Sequence, residues 1–274
     1  MQFNVLGTGL WGPGFCDWAS YVDLLGNVEN VPTEAPATLS PKPDIIPPRE
    51  RRRSPLYVRI AVEVATQACK EARLSPADIA CVFASGMGDL EITDYMCRTL
   101  ATDPKLLSPT KFHNSVHNAA AGYWSISTGC QQPVSSVSGF DFTAPVALLE
   151  AGVFSSAEQR PVLLVMFDIS TPATFDNFFP IDEAFAAAMV LAPSSIAPRE
   201  NAINTRVLTI SRTSGSAQWP ALELPEQCKF LHTLYTTNPS ARILTLLDQI
   251  RRGDSSPIQM PMGKDAVLSL SLSR

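Results

Sequence analysis

A covalent catalyst needs a nucleophile held where its charge is stabilised, and Ser108 to Gly152 has the layout that would supply one. The stretch reads as a loop, a helix, a buried strand, a tight turn and an apolar helix, which aims a residue near Phe140–Phe142 at a helix N-terminus. The residues at that turn are Gly139, Phe140, Asp141 and Phe142, none of them a thiol or a hydroxyl. Asp141 reads in two ways. It caps the following helix by accepting N–H bonds, or it serves as a catalytic carboxylate, for which no acid–base partner lies nearby in sequence. Phe140 and Phe142 read as packing residues, or as side chains that plug or line a tunnel. Cys130, eleven residues before Asp141, is expected to be a buried structural thiol, with a displaced nucleophile as the alternative. His113 and His117 are four apart, but no Glu lies between them and no third ligand is apparent, so neither metal nor cofactor is expected. Ser85-Gly-Met-Gly-Asp89 lacks the Lys-Ser/Thr of a phosphate loop and reads as a tight turn.

Composition narrows the class. The 274 residues are 45% hydrophobic and 17% charged, which supports a sizeable core and excludes global disorder. A net charge of −5 argues against a nucleic-acid surface. The one basic run, Arg49 to Arg53 around Glu50, reads as a solvated loop or as a dock for an acidic partner. No apolar run is long enough to span a bilayer, and the first residues read as a strand, not a signal peptide. Six scattered cysteines without C-x-x-C spacing suit reduced thiols in a cytoplasmic protein.

The elements that would position the turn follow from periodicity. Strands are expected at Phe3–Gly7, Ile79–Ala84, Val134–Val137 (crossing the core), Pro161–Phe167, Ala184–Ala192, Arg206–Ser211 and Ala266–Ser273. Helices are expected at Asp17–Leu25, from Leu56 with Val58, Ala61, Val62, Ala65 and Cys69 on one face, and at Leu90–Ala101. Others follow at Asn118–Thr128 with Gly129 as C-cap, at Phe142–Ala151, and as an amphipathic helix at Pro239–Ile250. Asn27 to Pro48, with its run of prolines, reads as a loop, and Arg212–Phe230 has no assigned element. Alternation of apolar strands with helices gives an α/β protein whose sheet is covered on both faces.

The central stretch resembles the nucleophile region of β-ketoacyl synthases. Asn118-Ala-Ala-Ala-Gly122 is similar to that family's N-x-x-A-G helix start, Gly129 to its helix end, and Gln132-Pro133 to its G-P. Leu148-Leu-Glu-Ala151 is similar to the helix behind the nucleophile, and counting from either side places Asp141 at the family's cysteine. VLGTGLWGPG, IACVFASGMGD and PVLLVMFD resemble further strands of the family, so the likeness runs over roughly residues 1–211. The family's two later histidine motifs have no match; the one histidine after Asp141 is His232, in Phe-Leu-His-Thr-Leu. The last residues, MGKDAVLSLSLSR, resemble the family's closing strand.

The resemblance implies an α/β, thiolase-like (ketosynthase) fold with a near-complete N-terminal half, residues 1–205, and a shortened C-terminal half, 206–274. It is nearest to the short chain-length-factor-like subunits encoded beside aryl polyene synthases. The implied role is a non-catalytic subunit that pairs with a full-length catalytic ketosynthase in type II polyketide biosynthesis, stabilising it and shaping its acyl tunnel. Acyl carrier protein would be met indirectly, and no nucleic acid or membrane span is expected. Implied tunnel or interface residues are Phe140, Asp141, Phe142, His113, Asn114, His117, Asn118 and the strand Pro133, Val134, Ser135, Ser136 and Val137. Two alternatives stay open: an active condensing or decarboxylating enzyme using Cys130 or Asp141, and a carrier-protein scaffold docking through Arg51, Arg52 and Arg53.

Overall fold

A computed structural model of the chain describes residues 1–26, 34–196, 206–225 and 228–273. Part of the proline-rich arm, 27–33, and the residues just before the expected boundary at 205 lie outside them. The elements in chain order are β1 (Gln2–Trp11), α1 (Trp18–Gly26), α2 (Pro48–Arg51), α3 (Leu56–Ala72), β2 (Ala80–Ala84), α4 (Leu90–Thr102), α5 (Pro109–Asn114) and α6 (Ala119–Thr128). There follow β3 (Val134–Val137), α7 (Thr143–Glu158), β4 (Val162–Asp168), β5 (Phe185–Pro193), β6 (Val207–Ser214), α8 (Lys229–Thr237), α9 (Leu244–Arg252), β7 (Ile258–Pro261) and β8 (Ala266–Ser273). Tight 3-10 turns precede α7 at Phe140–Phe142 and α9 at Pro239–Ile243.

The strands described form one eight-stranded sheet in the order β3-β2-β4-β5-β1-β6-β8-β7. β3, β2 and β4 are parallel, and every other neighbour is antiparallel. β1 runs on to Trp11, past the expected end at Gly7, because its glycines do not break it. They let α3 approach: a Cβ at Gly7 would strike the Ala68 carbonyl oxygen and one at Gly9 that of Val64. α3 buries Val58, Ala61, Val62, Ala65 and Cys69 against one face of the sheet, as its periodicity predicts. On the other face α7 and the turn at Pro239–Ile243 pack side by side against β4 and β5. Both faces are therefore covered, which is why β2 and β5 are apolar throughout and β4 is apolar up to its last residue, Asp168.

Three expectations need correction. Val134–Val137 has the expected bounds but does not cross the core; among the described strands it is one of the sheet's two edge strands, with β7 the other, and it is only half-buried, in keeping with its two serines. Pro239–Ile250, expected as one amphipathic helix, is α-helical only from Leu244. It begins as a 3-10 turn packed against α7 and continues as α9, in which every residue from Leu244 to Ile250 is buried. The unassigned region 212–230 holds the end of β6 and the start of α8, and β7 had no separate signal in the sequence.

Candidate functional site

The sharp turn between β3 and α7 is built from local bonds. The Gly139 N–H donates to Thr143 Oγ1 (3.1 Å), and that hydroxyl donates to the Phe140 carbonyl (2.6 Å). The Phe142 N–H closes the turn on the Gly139 carbonyl (2.9 Å). Phe140 carries φ +54°, a left-handed conformation that costs a bulky side chain about 1–3 kcal/mol and persists only where its surroundings impose it. Those surroundings include Ser138, whose hydroxyl donates to the Gly86 carbonyl (3.1 Å). Gly86 has to be glycine: a Cβ there would lie 2.9 Å from Pro239 and 3.1 Å from the Phe140 oxygen.

Asp141 stands exposed in this turn and accepts no hydrogen bond among the described residues. The expected N-cap is therefore a correction: Thr143 supplies the side-chain bonds at the helix entry, and the Asp141 carboxylate is left free. Its charge acts instead on Arg242, which the sequence reading had passed over. The Arg242 guanidinium lies over the rings of Trp219 (4.5 Å) and Tyr235 (4.8 Å) and donates to the Thr236 carbonyl (2.9 Å). Burial pulls its pKa below the usual arginine value, while Tyr235 and Asp141 oppose that pull. Phe142 stacks on Trp219 at 6.1 Å, and Phe140 meets Phe179 at 5.5 Å. Phe140 and Phe178 remain 56% and 74% exposed, so the mouth of the turn is an aromatic collar around one acid and one base.

Beneath the collar lies a second, fully buried carboxylate. Asp168, at the end of β4, accepts from Ser85 Oγ (2.8 Å), Ser240 Oγ (2.7 Å), the Gly86 N–H (3.2 Å) and the Met87 N–H (3.1 Å). Its carbonyl accepts from Asn238 Nδ2 (3.3 Å). Burial pushes the Asp168 pKa up, and the four donors oppose the shift. The Ser85-Gly-Met-Gly turn thus does cup an anion with backbone N–H groups, but the anion is the protein's own carboxylate. A lone acid closing the apolar run PVLLVMF was the available signal; nothing in SARILTLL marked Arg242.

The remaining candidates separate. Cys130 is buried at the opposite end of β3 from the turn, with its thiol on the Ile79 carbonyl (3.4 Å). His117 Nε2 lies 3.4 Å from the Ser85 carbonyl, while Asn118 is exposed at the start of α6. His113 is exposed on α5 with its ring against Tyr123. Asn114 is buried: Tyr57 Oη donates to its carbonyl (2.6 Å), Tyr123 Oη to its Oδ1 (3.3 Å), and its Nδ2 donates to the Arg53 carbonyl (3.4 Å). His232 lies on α8, where its ring makes no hydrogen bond among the described residues. Arg51 is spent on the Lys42 and Pro43 carbonyls and on Asp44 (2.9 Å), leaving Arg52 and Arg53 exposed. Among the described residues no cluster of His, Cys, Asp and Glu could hold a metal ion.

A family model described as beta-ketoacyl synthase, N-terminal domain, matches residues 27–248. The chain belongs to the β-ketoacyl synthase family. No curated protein matches it. Among solved structures it is similar to a chain of the ketosynthase ApeO in complex with its chain length factor ApeC from Xenorhabdus doucetiae, with a TM-score of 0.71, 20% identity, and 99% of each chain covered. It is also similar to a chain of the ishigamide ketosynthase/chain length factor, with a TM-score of 0.71, 12% identity and full coverage of both chains. A β-ketoacyl synthase from Burkholderia phymatum STM815 gives 0.68, 12% identity and full coverage. The fold is thiolase-like, and the likeness runs from end to end of each chain. No helix among the described residues is long and apolar enough to cross a membrane.

Proposed function

We propose that this chain is a non-catalytic, chain-length-factor-like subunit that pairs with a catalytic ketosynthase of a type II, aryl-polyene-like system, stabilising it and shaping its acyl tunnel. The observation that carries the reading is the turn itself. The left-handed residue and the helix entry are built, yet the side chain offered between Phe140 and Phe142 is an exposed carboxylate. A carboxylate cannot hold an acyl group as a thioester, and the anhydride it would form is quickly hydrolysed. The likeness to chains from ketosynthase–chain length factor complexes supports the pairing. So does β3, an edge strand among those described, packed beside α6 with its exposed Ile126, since an open edge beside apolar side chains is a site for strand addition.

The test is to express the chain alone and together with the complete ketosynthase encoded beside it. Analytical ultracentrifugation should give a stable one-to-one complex, and acyl-enzyme mass spectrometry should place the acyl group on the partner. A monodisperse monomer that condenses acyl groups unaided would overturn the reading.

A further inference from the structure

Among the long helices α4 is set apart by how little of it is covered. α3 buries ten of its 17 residues and α9 seven of its nine, but α4 buries Ile92 alone of its 13. Its apolar stripe, Ile92, Met96 and Leu100, is spaced by four and leaves the body as it advances. Ile92 is buried, Met96 is half-buried against the core, and Leu100 is 50% exposed. The stripe continues past the helix. Leu106, closing the 3-10 turn Pro104–Leu106, is 67% exposed, and Phe112 on α5 is 60% exposed. Of the ten large apolar side chains exposed among the described residues, four fall between positions 100 and 116: Leu100, Leu106, Phe112 and Val116.

The arm is nevertheless built to a definite shape. Asp89 caps α4 by accepting from the Ile92 N–H (2.9 Å). Tyr95 Oη donates to the Leu106 carbonyl (3.2 Å) and accepts from the Ser108 N–H (3.0 Å), and Lys111 Nζ sits 3.8 Å from the centre of its ring. These contacts fold α4, the turn and α5 into one unit, but they leave Leu100 and Leu106 bare. A helix of this length is marginal in water unless an apolar face is packed. The charge of the arm is balanced, with three acidic and three basic side chains in residues 90–118, and Arg98 is paired with Asp94 at 2.7 Å. Nucleic acid and anionic membrane both need clustered cations. A charge-balanced face with apolar side chains at its centre suits an apolar protein surface.

We propose that α4 and the turn after it grip the catalytic ketosynthase: an apolar face of that subunit closes over Leu100, Leu106 and Phe112, and the outer turns of α4 become stable only when it does. The proposal rests on the pairing reading above. It adds to the β3 edge a second contact of a different kind, made by side chains and not by strand addition. It also makes α4 the element whose order reports on pairing, because its body contacts end near Met96 while its hydrogen-bonded turns run on to Thr102.

The test compares the full chain alone with its complex with the neighbouring full-length ketosynthase, by amide hydrogen exchange and by the dissociation constant. In the chain alone, the amides of residues 96–102 should exchange at least about 100-fold faster than those of α3, and in the complex they should slow by more than about 10-fold. Leu100→Asp and Leu106→Asp, at side chains already exposed, should each weaken the complex by more than about 10-fold. Val153→Asp, the same change at an exposed position on α7 (48%), should weaken it less than about 3-fold. Unchanged exchange of α4 on complex formation, or equal effects of Leu100→Asp and Val153→Asp, would overturn the grip while leaving the pairing intact. Protection of α4 in a self-associated form of the chain alone would make the occupant a second copy and overturn the assignment to the ketosynthase. Absence of any complex with the unaltered chain would overturn the pairing reading itself.

Discussion

Asp168 and Asp141 belong to neighbouring turns and live under opposite conditions. Asp168 is wholly buried and meets four donors drawn from the turn after β2 and from the segment before α9. Asp141 is exposed and meets no hydrogen-bond donor among the described residues. The difference separates the frame of a nucleophile turn from its reactive point. The frame needs β2, β4 and residues 238–240 locked together, because Gly86 touches both the Phe140 carbonyl and Pro239. The reactive point carries no such load, so an aspartate there disturbs nothing that holds the fold.

The sharpest test of this contrast is Asp168→Ala. It leaves two backbone N–H groups and two serine hydroxyls buried without an acceptor, and a loss of roughly 3–5 kcal/mol is expected in a denaturant titration. Asp168→Asn should cost less, about 2–3 kcal/mol, because its amide must turn N–H toward the Gly86 or Met87 N–H. The same pair carries a pH signature. The folded pKa of Asp168 is raised above its ordinary 3.8, so the folded state holds that proton longer than the unfolded chain does. Its contribution is greatest below 3.8 and declines as pH rises from there to the folded value, the reverse of a salt-bridged carboxylate. The stability difference between wild type and Asp168→Asn should therefore shrink as pH rises through that interval, and an advantage that grows instead would contradict it.

Arg242→Ala tests the collar, where the guanidinium fills the space between two rings. About 1–2 kcal/mol should be lost, with a change in tryptophan fluorescence from Trp219. Asp141→Asn is expected to have the smallest effect, leaving the melting temperature of the chain unchanged. A marked drop would mean that Asp141 does hold the helix entry and that the comparison fails.

Local patterns in the sequence located much of this. β3 begins and ends where its Val-Ser-Ser-Val run predicts, and Gly129 adopts the left-handed C-cap conformation (φ +69°). The one-faced pattern of α3 and the all-apolar runs of β2 and β4 found their places. The failures share a cause. β3 was expected to cross the core, but strand order depends on pairings between residues dozens of positions apart. Pro239–Ile250 shows a helical stripe, but its first turn is 3-10 where it meets α7, and the helix that follows is buried on every face. Asp141 stands at the proper spacing for a cap, but Thr143 reaches the turn's donor and acceptor first.

The sequence alone determined the bounds of β3, the one-faced pattern of α3 and the identity of the residue at the turn, because each depends on composition and spacing within a few residues. The tertiary structure decided which strand is left with a free edge, which carboxylate is buried and which is bare, and that Arg242 faces the turn. These are meetings of segments far apart in the chain, and desolvation and charge act through space, not along the sequence.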